Sequence, residues 1–188
     1  MQNINRKVTP MLASVLLLSV SALAHAIVPE SMQVPENIQV PESIQVPEGN
    51  TVAWETVGVG DITYECRDKP DAASELGWVF VGPEAVLNDS DGKPVGRYFG
   101  PPATWQAPDG SKVTGTQLAV ASGGTGNIPY QLVQANPAVG EGVMSGVTYI
   151  TRLNTQGGVA PALACGEANK GERQVVQYQA DYTFWKAN

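Results

Sequence analysis

The 188-residue chain predicts an all-β domain, an antiparallel β-sandwich or barrel of about eight to ten short strands with long loops and one disulfide. Three observations carry that prediction. Several runs alternate apolar and polar residues with the period of two expected of half-buried strands. Turn dipeptides separate the runs: Asp91-Gly92, Asp109-Gly110, Gly123-Gly124 and Gly157-Gly158. No stretch of about ten or more residues carries a helical apolar stripe, and only Asp71–Leu76 reads as a turn or two of helix.

The elements follow in order. Val52–Thr56 reads as a strand, and Ile62, Tyr64 and Cys66 then alternate with Asp61, Thr63, Glu65 and Arg67, which sets Cys66 on an inner face. Trp78–Val81, Glu84–Leu87, Lys112–Ala121 and Tyr130–Gln134 supply further strands, with Tyr98 and Phe99 in an intervening loop region. Val147, Tyr149, Thr151 and Leu153 alternate with Thr148, Ile150 and Arg152. Asn154–Arg173 shows no clear strand and contains Cys165. The clearest alternation is C-terminal, where Val176, Tyr178, Ala180, Tyr182 and Phe184 share one face and leave Trp185 on the other.

Ahead of this β region stand two segments of different character. Arg6 and Lys7, the apolar run Met11–Leu23 and Ala24-His25-Ala26 have the order of a secretory signal peptide (1–26) cleaved after Ala26. The run is too short to span a membrane, so a secreted or periplasmic product with no transmembrane segment after processing is expected. Residues 27–49 repeat Val-Pro-Glu every six residues, from Val28, Val34, Val40 and Val46. A proline at that interval fixes φ and removes a donor each time, which favours an extended arm or spacer over helix or central strand. A second reading has Val, Met and Ile as apolar teeth docking on a neighbour. Residues 50–188 form the β-rich domain.

Cleavage moves the net charge from −7 to −9, because residues 1–26 hold Arg6 and Lys7 and no acid. An acidic surface disfavours nucleic acid as a partner. Cleavage also removes His25, the only histidine, and with it the commonest general base and metal ligand. Cys66 and Cys165 allow one intramolecular bridge, with two separate buried thiols as the alternative; no Cys-x-x-Cys pair is present.

Chemical motifs are few. Asn88–Lys93 fails the EF-hand pattern and reads as a hairpin turn. Ser122–Asn127 is glycine-rich but lacks the end of a phosphate loop, and Ser145 lacks both an elbow motif and a base. Asp61, Glu65, Glu84, Asp109 and Asp181 are carboxylate candidates whose simpler role is a solvated strand edge or turn. Trp54, Trp78, Trp105 and Trp185 offer stacking surfaces or core packing. Arg152 is a fixed cation on a strand face with few charges, beside a Gly157-Gly158 turn that would let a ligand approach; the competing role is a salt bridge closing the sheet.

The blocks Gly60-Asp61-Ile62-Thr63-Tyr64-Glu65-Cys66, Asp91-Gly92-Lys93-Pro94-Val95-Gly96, Asp109-Gly110-Ser111-Lys112-Val113 and Tyr178-Gln179-Ala180-Asp181-Tyr182-Thr183-Phe184 stand in a familiar order. The densest block is Val147-Thr148-Tyr149-Ile150-Thr151-Arg152-Leu153-Asn154-Thr155-Gln156-Gly157-Gly158-Val159-Ala160-Pro161. Over nearly all of residues 46–188 the chain resembles the domain of unknown function numbered three-four-five-five, found in exported bacterial and fungal proteins. The resemblance implies a secreted β-rich domain with Cys66 paired to Cys165, and no established activity. Members often carry Gly-Arg-His-Tyr where this chain reads Gly96-Arg97-Tyr98-Phe99. A function resting on that histidine would be missing here.

The expectation is therefore an exported, non-catalytic β domain with a binding or envelope-associated role. Its partner would be a ligand or an envelope component; no cofactor, metal or catalytic residue is expected. Arg152, Trp105, Tyr98 and Asp109 are the candidate binding residues. The alternative is a carbohydrate-binding or carbohydrate-active protein using Trp105, Tyr98 and Asp109, and a third class is carboxylate-based calcium binding.

Overall fold

Alternation along each strand puts one row of side chains inside and one outside, and here the sheet closes on itself. The structure, a computed structural model, describes residues 40–188; the expected leader and the first two hexads lie outside the described residues. Eight strands run β1 (Asn50–Lys69), β2 (Ala72–Asn88), β3 (Pro94–Phe99), β4 (Thr104–Gln106), β5 (Lys112–Ala121), β6 (Tyr130–Ala135), β7 (Val147–Gly157) and β8 (Arg173–Ala187). Each pairs antiparallel with the next, and β8 returns to β1, giving a closed barrel in sequence order.

The barrel, rather than the sandwich, is the form adopted, and its strands are not uniformly short. Val52–Thr56 and Ile62–Arg67 belong to one 20-residue strand, β1. The intervening glycines look like a turn in sequence but serve as space. A Cβ on Gly58 would lie 2.6 Å from Cε2 of Tyr182, so glycine there lets that ring cross the lumen. Trp78–Val81 and Glu84–Leu87 likewise merge in β2 through Gly82-Pro83. The merger survives proline because β3 pairs with β2 only as far as Glu84, and the β1–β2 register shifts at Thr63/Tyr64. Pro83 thus sits beside an irregularity where no third strand needs its missing donor. Asp71–Leu76 is a hairpin turn and the start of β2, not helix. Tyr98 is on β3, not in a loop, and Asn154–Arg173 is strand as far as Gly157.

The inner row of β8 is as read: Tyr178, Ala180, Tyr182 and Phe184 are buried. Trp185 stands on the outer row, half-buried, its Nε1 donating to Thr151 Oγ1 at 3.2 Å. On β7 the inner residues are Ile150 and Arg152, because the β7–β8 register shifts between Val147 and Tyr149.

The two ends of the barrel differ. At one end the β4–β5 turn and the β6–β7 connection meet, and Met144 and Ile44 are fully buried. Ile44 ends a short 3-10 turn, Glu42–Ile44, packed against β5 and β6, so the third hexad contributes a tooth to this chain's own barrel. At the other end Cys66, fully buried near the C-terminal end of β1, is bonded to Cys165 of the β7–β8 connection, 99 residues away. Cys66 N donates to Glu172 O at 2.9 Å and Gly171 N donates to Cys66 O at 2.7 Å. Trp78 Nε1 donates to Leu163 O at 2.8 Å, which draws the same connection onto the wall.

Candidate functional site

An eight-stranded barrel is just wide enough to be filled by side chains or to hold one small ligand. Here side chains fill one level of the barrel and leave a cavity at another. Toward the disulfide-bearing end lies a cavity of about 340 Å³, lined in part by the β3–β4 turn at Ala103 and the β5–β6 connection at Ile128 and Pro129. Three of the four residues singled out in the sequence line it: Tyr98 from β3, Trp105 from β4 and Arg152 from β7.

The aromatic wall follows from strand register. Tyr98 pairs directly with Trp105, and their rings stack with centroids 4.7 Å apart and planes 18° from parallel. Tyr182 from β8 reaches across the lumen to both, 5.2 Å from Tyr98 and 6.0 Å from Trp105. Trp105 is 1% exposed, yet its Nε1 has no hydrogen-bond partner. A buried donor left unpaired costs about 1–3 kcal/mol.

Arg152 is the only charged residue among those lining the cavity. Its Nε and Nη2 both donate to Pro129 O, at 3.2 and 2.8 Å, which fixes the guanidinium beside the β5–β6 connection. The salt bridge weighed for it does not form; among the described residues no carboxylate lies within ion-pair distance of Arg152. The Gly157-Gly158 turn does not open a ligand path. A Cβ on Gly158 would meet Tyr178 Cβ at 2.9 Å and Ile128 at 3.0 Å, so the glycine admits protein side chains. Gly158 O accepts the Tyr64 hydroxyl at 2.7 Å.

Asp109 is not part of this cluster. It lies in the β4–β5 turn at the closed end, where Oδ1 accepts from Ser111 N (2.9 Å) and Ser111 Oγ (2.6 Å) and Oδ2 accepts from Val143 N (2.7 Å). The Ser111 hydroxyl, Val143 N–H and Ser111 N–H hold its carboxyl below the usual range. Ser111 Oγ also accepts from Met144 N at 3.1 Å, so Asp109 and Ser111 together seat the β6–β7 connection. Its role is architectural.

Residues not singled out complete the site. Tyr64 lines it from β1, Phe80 stands half-exposed at its rim, and Gln131 Nε2 donates to Gln117 Oε1 at 2.6 Å on the opposite wall. Burial pushes the hydroxyls of Tyr64, Tyr98, Tyr178 and Tyr182 above the ordinary phenol range, and the Arg152 cation pulls each back without reversing it. They are neutral donors at physiological pH and supply no tyrosinate base. The fold favours the neutral phenols, so this contribution to stability is whole below about pH 10, the unfolded value, and is lost as pH climbs through the higher folded values. Tyrosinate absorbance from these four is expected only above about pH 10, together with loss of near-ultraviolet dichroism.

Fold and site define an up-and-down antiparallel β-barrel with one end packed and the other holding an arginine-bearing aromatic cavity. The chain matches a family model over residues 47–186. It belongs to that family, described as Protein of unknown function (DUF3455). No curated protein and no solved structure matches it. Among the described residues no helix is long and apolar enough to cross a membrane, and no group of three or more His, Cys, Asp or Glu is placed to hold a metal ion.

Proposed function

We propose that this is an exported, non-catalytic binding domain that takes one small ligand into the open end of its barrel. The observation that carries the reading is the convergence of Tyr98, Trp105 and Arg152 on one cavity of about 340 Å³. That volume falls within the range of small-molecule sites, and its composition, mostly apolar and aromatic with a few polar groups, is theirs as well. The tyrosines facing it are held neutral by burial, and Ser145, the serine weighed as a nucleophile, donates to Glu141 in the β6–β7 connection. Export is supported by the N-terminal segment and by the Cys66–Cys165 bridge, a bond that persists in oxidising compartments.

The carbohydrate alternative fits the geometry less well. Trp105 and Tyr98 spend their faces on each other instead of presenting a platform, and Asp109 is committed to the closed end.

A neutral fluorescent probe, N-phenyl-1-naphthylamine, tests the reading. Saturable enhancement is expected with the wild-type protein. Ala103→Trp, which fills the cavity mouth, should weaken it at least about tenfold while far-ultraviolet dichroism stays unchanged. No enhancement with wild type, or enhancement indifferent to Ala103→Trp, would remove the proposal.

A further inference from the structure

We propose that the ligand is a monocarboxylate, its carboxylate seated on Arg152 and its apolar body against the aromatic wall. This rests on the binding reading above and adds the chemical class.

Charge is the first argument. The chain is acidic, with net charge −7, yet among the described residues no Asp or Glu lines the cavity and Arg152 does. A half-buried cation lining a cavity with no anionic partner attracts one. Hydrogen-bonding capacity is the second. Pro129 O takes the Nε–Nη2 edge of the guanidinium and the Tyr182 hydroxyl also bears on it; the remaining Nη donors suit the oxygens of a carboxylate. Number of charges is the third. One cation balances one negative charge, and a phosphate would carry a second into an enclosure of tyrosine, tryptophan and phenylalanine. The apolar lining beside Arg152, with Ile62, Ile128, Val133 and the half-exposed ring of Phe80, fits the rest of an aromatic or short aliphatic acid.

Competition for the naphthylamine probe separates this inference from the reading beneath it. Benzoate should displace the probe at a concentration at least about tenfold below that of benzamide, its neutral isostere. Arg152→Met should bring the two together while the probe still binds. Arg152→Lys, which keeps charge and loses the fork, should retain a preference of about two- to threefold. Equal competition by benzoate and benzamide, or a preference untouched by Arg152→Met, would overturn the carboxylate assignment and leave the binding reading standing. Phenyl phosphate outcompeting benzoate would overturn the monoanion. Should the probe fail to enter at all, the binding reading fails, and titration calorimetry with benzoate alone decides the rest: absence of Arg152-dependent heat sinks the carboxylate assignment too.

Discussion

Replacing Cys66 and Cys165 together with serine should lower the free energy of unfolding by about 4 kcal/mol, measured by urea denaturation of the folded domain. The bridge joins residues 99 apart, from the end of β1 to the β7–β8 connection, and a loop of that size forfeits about 4–5 kcal/mol of chain entropy in the unfolded state when closed. Its position adds a native-state role. The β7–β8 connection is mostly irregular, with one short 3-10 turn at Glu167–Asn169, and few elements hold it. Besides the disulfide, its anchors include the Trp78–Leu163 bond, the backbone pair between Cys66 and Glu172–Gly171, the exposed Lys170–Asp68 ion pair and, at its start, the bonds of Gly158 to Tyr64 and Gln177. Cys66 is fully buried, so a serine there exchanges an apolar sulfur for a hydroxyl that must find a partner. The double variant is expected to lose amide-exchange protection first across residues 158–172, before the strands. A loss below about 1 kcal/mol would mean that the unfolded chain is already compact enough for the closure to cost little.

Much of this barrel is legible in the sequence, and what is not fails for identifiable reasons. The inner row of β8 is read correctly because each of its residues obeys the period of two and its neighbours are polar. β1 and β2 are each split in two by glycine, since a turn glycine and a lumen glycine carry the same letter. In β1 the Tyr182 ring folded against Gly58 tells them apart, and in β2 the close approach of the Gly100 backbone to Gly82 does so. β3 and β4 escape notice because a six-residue and a three-residue strand, joined through Gly100-Pro101-Pro102, offer too few alternations to register. The hexad segment reads as spacer from its prolines, yet Ile44 shows that one apolar residue per repeat is enough to dock when a seat lies within reach.

The site divides along the same line. Tyr98, Trp105 and Arg152 stand out by residue type and do converge. Tyr64, Tyr178 and Tyr182 are equally involved, as cavity wall or as hydroxyls within the field of Arg152. Alternation assigns them simply to an inner face. In a barrel that face is core at one level and lumen at another, and periodicity carries no information about height along the axis. Asp109 belongs to a turn whose Asp-Gly-Ser sequence already explains it, through Asx-type bonds to Ser111.

Phe184→Ala should cost about 3–5 kcal/mol of stability and leave the preference for benzoate over benzamide unchanged. Phe184 is fully buried below the cavity and does not line it. Its ring lies 4.9 Å from that of Trp54, and register places it across from Trp54 on β1 and Ile150 on β7, itself fully buried. Three strands thus meet through one side chain, and truncation leaves a hole that a hydrogen-bonded closed sheet has little freedom to fill. For a domain of this length the melting temperature should fall by about 10 °C or more. Tyr182, one inward position along β8, would confuse the question, because its ring also bears on Tyr98 and Trp105. Phe184 isolates the packed end from the open one. If the variant loses stability but keeps the ligand preference at low temperature, the barrel has a load-carrying level and a binding level that are energetically separable. A parallel loss of preference would instead mean that the packed level sets the position of Arg152 through β7, two residues beyond Ile150.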